Sequence, residues 1–165
     1  MKELVITRTF NAPQEKIWKA FTEAEHLNHW WGPTGFKMHT ISLSLKPGGT
    51  FHYSMTAADG SIMWGKFTYH EIEPTHKLVY NSSFSNETGE ITRAPFSEHW
   101  PLEVRNTLTL EEEDGKTTLT LRGGPVNPTS EEVKLFESMT ESMNQGFGGT
   151  FDKLENYLEE NAILI

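Results

Sequence analysis

Between Val133 and Leu158 the chain carries one apolar stripe: Val133, Phe136, Met139, Met143, Phe147, Phe151, Leu154 and Leu158. Each step is three or four residues, the period of one face of a single long helix. Nearly everything before it reads as strands. A lone helix about 10 Å across cannot cover the apolar face of a wide, curved antiparallel sheet. The pattern therefore predicts a sheet wrapped around a helix with a space between them. That space is the first place to look for function.

Residues 3–10 alternate around Leu4, Ile6 and Phe10 and read as a first strand. Asn11-Ala12-Pro13 ends it, and Pro13 suits a first helical turn. Ile17, Trp18, Ala20 and Phe21 then form the face of a short helix. Thr22 is placed to cap a second over 23–29, which Trp30-Trp31-Gly32-Pro33 stops. Six more strands are predicted at 36–45, 50–57, 62–72, 77–84, 101–112 and 116–123. Their connectors, such as Lys46-Pro47-Gly48-Gly49 and Asp114-Gly115, have turn chemistry. The stretch 85–100 lacks periodicity and reads as one long loop, a length tied to function or mobility. Pro128-Thr129-Ser130-Glu131-Glu132 opens the last helix with a cap and an acidic first turn. Residues 1–165 thus read as a single α+β domain.

A net charge of -9 with no Lys/Arg cluster argues against nucleic acid and anionic membranes as partners. No cysteine is present, which excludes disulfides, thiolate catalysis and Cys-ligated metals. The opening Met1-Lys2-Glu3-Leu4-Val5-Ile6 lacks the apolar core of a signal peptide, and no run approaches a membrane span. The expected location is the cytoplasm.

Period-two parity selects the inward side chains. They are Phe51, Tyr53 and Met55; Met63, Gly65, Phe67 and Tyr69; Leu78, Tyr80, Ser82 and Phe84; Leu102, Val104, Asn106, Leu108 and Leu110; and Thr117, Leu119 and Leu121. Trp64 and Ile72 lie off parity, which hints at a bulge, while His52 and His70 face out. Most of this set is core. The polar members Tyr53, Tyr69, Tyr80 and Asn106 need partners, because an unpaired buried group costs roughly 1–3 kcal/mol. A mostly apolar interior with a few polar groups is the make-up of a small-molecule pocket. Met55, Met139 and Met143 add a lining that adapts to shape. Gly146-Phe147-Gly148-Gly149 interrupts the last helix, at roughly 2–3 kcal/mol of lost propensity against alanine. Close approach to the sheet or to Trp30-Trp31 explains it best, with a hinge that admits ligand as the alternative.

Metal chemistry finds little purchase. His26 and His29 are three apart with Glu23 and Glu25 nearby, but no third ligand is dictated. No metal and no cofactor are expected. Glu98-His99-Trp100 in the long loop is the better place for proton chemistry, although His99 has no nucleophile or carboxylate partner at a recognisable spacing. Arg93 in the same loop is a candidate for an anionic head group. Hydrolase, phosphate-loop and dinucleotide signatures are absent.

Several motifs carry a family resemblance. Thr7-Arg8-Thr9-Phe10-Asn11-Ala12-Pro13, His29-Trp30-Trp31-Gly32-Pro33, Lys46-Pro47-Gly48-Gly49-Thr50-Phe51 and Trp64-Gly65-Lys66-Phe67 stand in order along the chain. They are followed by Asp114-Gly115-Lys116-Thr117-Thr118-Leu119 and Gly148-Gly149-Thr150-Phe151-Asp152-Lys153-Leu154. Together they resemble the Aha-type domain family, named for the C-terminal domain of an activator of the ninety-kilodalton heat-shock chaperone's ATPase. The resemblance implies the helix-grip fold of the START and pollen-allergen (SRPBCC) superfamily. In it a curved seven-stranded antiparallel sheet grips a long C-terminal helix, and two short helices follow the first strand. That superfamily commonly binds hydrophobic ligands in its cavity, and some members are cyclases or hydrolases. Two features depart from the family: Gly146-Phe147 stands where many relatives have Gly-Trp, and residues 85–100 match no family pattern.

The leading expectation is a non-enzymatic protein, monomer or homodimer, that binds a small lipid-like or aromatic ligand between sheet and helix. Its lining is expected from Phe51, Tyr53, Met55, Phe67, Tyr69, Tyr80, Met139, Met143 and Phe147, with Trp31, Phe36 and Trp100 at the mouth. One alternative is a stress-response module acting on a heat-shock chaperone through an exposed apolar surface or the Ala162-Ile163-Leu164-Ile165 tail. The other is a cavity enzyme using His99.

Overall fold

The alternating segments pair into one antiparallel sheet in the computed structural model, which describes residues 3–160. Its strands are β1 (Leu4–Phe10), β2 (Lys37–Leu43), β3 (Thr50–Thr56), β4 (Ile62–Glu73), β5 (Lys77–Ser85), β6 (Ile91–Thr92), β7 (Val104–Glu113) and β8 (Lys116–Pro125). The order across the sheet is β1-β8-β7-β5-β4-β3-β2, with β6 paired to β5 beside this path. Helices α1 (Gln14–Thr22) and α2 (Ala24–Trp30) follow β1, while α3 (Ser130–Ser138) and α4 (Thr140–Glu160) follow β8. This is the helix-grip α+β fold: a curved sheet around a long C-terminal helix, with two short helices after the first strand.

The seven long strands stand where alternation predicts them. The stretch 85–100 is less bare than its sequence, since it holds β6 and a bridge between Ala94 and Ser97. β7 starts only at Val104, so Leu102 is exposed rather than inward. The bulge that Trp64 and Ile72 suggest lies between Tyr69 and Glu71 and restores the parity of Ile72. Thr22 does not cap α2; its hydroxyl donates back to the Trp18 carbonyl at 2.8 Å. His52 is buried rather than solvated, because the 86–90 turn folds over it and its Nε2 lies 3.2 Å from the Asn86 carbonyl.

The largest correction concerns the long helix. It is two helices, broken at Met139 (φ -102, ψ 4), and it runs unbroken through Gly146–Gly149. Hydroxyls cause the break. Ser138 Oγ donates to the Leu135 carbonyl at 2.7 Å, and Thr140 Oγ1 donates to the Glu137 carbonyl at 3.0 Å. The Met139 N–H is shared between Leu135 and Phe136, so the last carbonyls of α3 are satisfied locally and the helix ends.

Side chains from the sheet and all four helices share one core. Phe51, Phe67, Tyr69, Tyr80, Leu108 and Leu119 on the concave face meet Trp30, Phe136, Phe151 and Leu154. Arg8 on β1 clamps α4: its guanidinium donates to the Gly148 carbonyl at 3.2 Å, to Asp152 at 2.6 Å and to Glu155 at 2.9 Å. Among the described residues no helix is long and apolar enough to cross a membrane. The tail residues Ala162–Ile165, offered above as a docking element, lie outside the described residues.

Candidate functional site: a cavity beneath the C-terminal helix

The concave faces of β3, β4 and β5 supply one wall. Register sets Tyr53 opposite Gly65, Phe67 opposite Ser82 and Tyr80 opposite Asn106. Beneath α4 these residues line a partly open cavity of about 200 Å³, bordered on the other side by Trp31, Trp100, Phe136, Met143 and Phe147. A second, more open space of about 310 Å³ shares Trp31, Tyr53, Met55, Phe84, Met143 and Phe147 with it and adds Gly32, Pro33, Gly146 and Thr150. The two spaces border each other at those six shared side chains. Among the described residues no Asp, Glu, Lys, Arg or His lines either one.

Glycine makes this geometry. A Cβ at Gly65 would lie 2.4 Å from the Tyr53 ring, so the ring rests flat on bare backbone. Phe51 stacks on that ring at 4.8 Å, and Phe67 meets it edge-on at 5.8 Å. Trp31 holds the hydroxyl, its indole N–H donating to the Tyr53 oxygen. Burial nevertheless pushes the Tyr53 phenol up to about 12. Burial raises Tyr69 and Tyr80 further still, reinforced by the neighbouring phenols. All three are therefore neutral hydroxyls at physiological pH.

Their partners differ. The Tyr69 hydroxyl is buried with no hydrogen-bond partner. Tyr80 stacks on Phe67 at 4.2 Å and lines the cavity, and no described residue hydrogen-bonds its hydroxyl. An unpaired buried hydroxyl costs roughly 1–3 kcal/mol. Asn106 is anchored instead: its Nδ2 donates to Ser82 Oγ at 2.9 Å and to the Val104 carbonyl at 3.0 Å.

Eight of the twelve expected lining residues meet at the inner cavity: Trp31, Tyr53, Met55, Phe67, Tyr80, Trp100, Met143 and Phe147. Phe51 and Tyr69 are fully buried behind this surface and do not line it. Phe36 sits in a separate shallow cleft with His29, Met38 and Lys153. Met139 is half-buried at the end of α3, outside both spaces. Sequence reasoning left Ser82, Phe84, Asn106 and Phe136 out of the site, although strand parity and the helical stripe already turned them inward. Leu4, inward by the alternation of the first strand, also lines it, as does Ser83, which carried no such signal.

The polar candidates stand elsewhere. His99 is exposed, 3.6 Å from the still more exposed Glu98, and lines neither space. Arg93 is not free for an anionic head group, because it pairs with the buried Glu132 and donates to the Trp100 carbonyl at 3.2 Å. Glu132 is the capping-box residue of α3; the Thr129 N–H first, then Arg93, hold its carboxyl below the usual range. His26 and His29 do not converge on one point. His26 Nδ1 lies 2.6 Å from the Tyr157 hydroxyl, and His29 stacks on the same ring at 5.1 Å. Glu23, Glu25 and His26 do bring ligand-type atoms within 4.8 Å of one another, but both carboxylates are exposed. Close approach accounts for Gly149, whose Cβ would meet Thr34 Oγ1 at 3.0 Å, but not for Gly146 or Gly148, which face open space.

A curved antiparallel sheet gripping a helix over an apolar cavity defines the helix-grip class. The family model described as "Activator of Hsp90 ATPase homolog 1-like protein" matches residues 11–159, and the chain belongs to that family. Solved structures agree. A Staphylococcus epidermidis protein solved by NMR is 26% identical, with a TM-score of 0.78, covering 96% of this chain and 90% of its own. Protein Ms6760 from Mycobacterium smegmatis is 22% identical at a TM-score of 0.77, covering 96% of this chain and 92% of its own. A protein named AHSA1 from Silicibacter pomeroyi is 15% identical at 0.72, covering 97% and 99%. These likenesses carry the fold. No curated protein matches the chain.

Proposed function

We propose that this chain binds a small hydrophobic ligand, lipid-like or aromatic, in the cavity between the sheet and α4, and that it acts in the cytoplasm. The observation that carries the reading is the charge-free aromatic cavity of about 200 Å³ with its adjoining space of about 310 Å³. The more open of the two is by itself on the roughly 300 Å³ scale of small-molecule sites. Eight residues expected to line such a site converge there from six separate parts of the chain. Family membership supports the same reading, since helix-grip proteins commonly hold hydrophobic ligands.

A chaperone-directed role needs one contiguous exposed apolar surface. Among the described residues the exposed large apolar side chains are Val5, Ile41, Ile62, Phe96 and Leu102, and Val5 and Ile41 lie on β1 and β2, the opposite edges of the sheet. Exposed Phe96 packs against Phe84 and Trp100. The test is a screen of lipids and uncharged aromatics followed by NMR. Binding shifts Met55, Tyr80, Met143 and Phe147 together; shifts confined to surface residues, or none, overturn the proposal.

A further inference from the structure

We infer, resting on the binding reading above, that the cavity takes an uncharged ligand bearing a hydroxyl group, which it buries against Tyr80 and Asn106, and that it excludes ionised carboxylates. Tyr80 and Asn106 are directly opposed on β5 and β7, and both line the inner cavity. Each is more than nine-tenths buried. Each also has an unused polar atom.

The Tyr80 hydroxyl has no partner among the described residues. Both Nδ2 hydrogens of Asn106 are committed, and the Val104 carbonyl, an acceptor only, fixes which way the amide points. No described residue donates to its Oδ1, which sits over Gly123, where a Cβ would lie only 3.2 Å away. A ligand hydroxyl completes the pair: it accepts from the Tyr80 O–H and donates to Asn106 Oδ1. A ketone or ether satisfies only the first of these.

The same lining disfavours an anion. Among the described residues no cation faces either space, and the nearby basic groups are engaged. Arg8 holds Asp152 and Glu155, Arg93 holds Glu132, and Arg105 donates to Asn81. Lys153 donates to the Pro33 carbonyl at the rim and lines neither space. A carboxylate entering the cavity would shed its water with only neutral groups to meet it.

Three probes of one ring size isolate the head group: naphthalene, naphthol and naphthoate, titrated at neutral pH and followed by NMR. Naphthol is expected to bind about five-fold tighter than naphthalene, the size of one neutral hydrogen bond. Naphthoate is expected at least about tenfold weaker than naphthol. Tyr80→Phe is expected to reduce the preference for naphthol over naphthalene, read as the ratio of the two affinities within that variant. The head-group order in the unmodified protein stands as an independent reading if that variant misfolds. Equal binding of naphthol and naphthalene overturns the hydroxyl assignment and leaves ligand binding standing. Naphthoate binding as tightly as naphthol overturns the charge selection and implicates Lys153. Failure of all three to bind overturns this inference and the cavity reading together.

Discussion

Gly65→Ala should destabilise the protein, and the same change should stabilise it once Tyr53 has been cut to alanine. The added Cβ would lie 2.4 Å from Tyr53 Cζ and Oη and 2.7 Å from Cε2. Carbon atoms settle at about 3.5–4.0 Å, so the ring has to retreat by more than about 1 Å. Phe51 stacks on the ring and Trp31 holds its hydroxyl, so it can retreat only toward the cavity it lines, at the cost of those contacts. Overpacking of this kind costs about 1–3 kcal/mol. Against it stands a gain of roughly 0.5–1 kcal/mol, because glycine is a poor strand residue relative to alanine. The clash wins in the native background, and the propensity gain is all that remains when Tyr53→Ala removes the ring.

Denaturant unfolding of the parent, Gly65→Ala, Tyr53→Ala and the double variant measures this cycle directly. Opposite signs for Gly65→Ala in the two backgrounds are expected. A change of the same sign in both would refute the idea that this glycine exists to seat Tyr53. Tyr53 also lines both spaces, so a ring forced inward should weaken ligand binding in Gly65→Ala.

Gly146→Ala and Gly148→Ala should each raise stability by about 0.8–1 kcal/mol, since both sites face open space. Gly149→Ala, blocked by Thr34 at 3.0 Å, should gain less in the same thermal melts. Acid should loosen α3. The Glu132 carboxyl is held below its unfolded value of 4.5, so its contribution is complete above that pH and is lost as pH falls through the depressed folded value. Glu132→Gln should flatten the acid limb of the stability curve in that window. Alkali should act through Tyr53, raised from 10.0 to about 12: its contribution is full below 10 and is lost as pH rises through 12. Phenolate absorbance for the buried tyrosines should therefore appear only together with unfolding seen by circular dichroism, and their titration near 10 in the intact fold would contradict the burial argument.

The strands were legible because period-two alternation is a local signal, and turns such as Asp114-Gly115 punctuate it. Asp114 and Gly115 both adopt positive φ there, as such a tight turn requires. The lining residues on β3 and β4 followed from the same parity. What failed depended on contacts distant in sequence. His52 has the parity of a solvated residue, and only the 86–90 turn, thirty-odd positions later, covers it. Arg93 looks free until the fold brings Glu132 beside it. The break at Met139 was hidden because its apolar stripe keeps helical spacing, while the hydroxyls of Ser138 and Thr140 that end α3 lie off the stripe.

That break explains where the cavity lies. A straight rod over the whole concave face would leave its gaps spread along its length. With the rod divided, α3 packs on β8 while α4 packs on β1 and α2. Both therefore lie toward the β1–β8 side of the sheet, α4 held there by Arg8. The concave faces of β3, β4 and β5 are left to side chains alone, with Trp31, Met143 and Phe147 reaching across. Large rings meeting at angles pack with gaps that small aliphatic residues would fill, and Gly65 removes a further side chain from the same floor. The void is thus a consequence of helix placement, aromatic shape and one glycine, and its polar corner is Tyr80 on β5 facing Asn106 on β7.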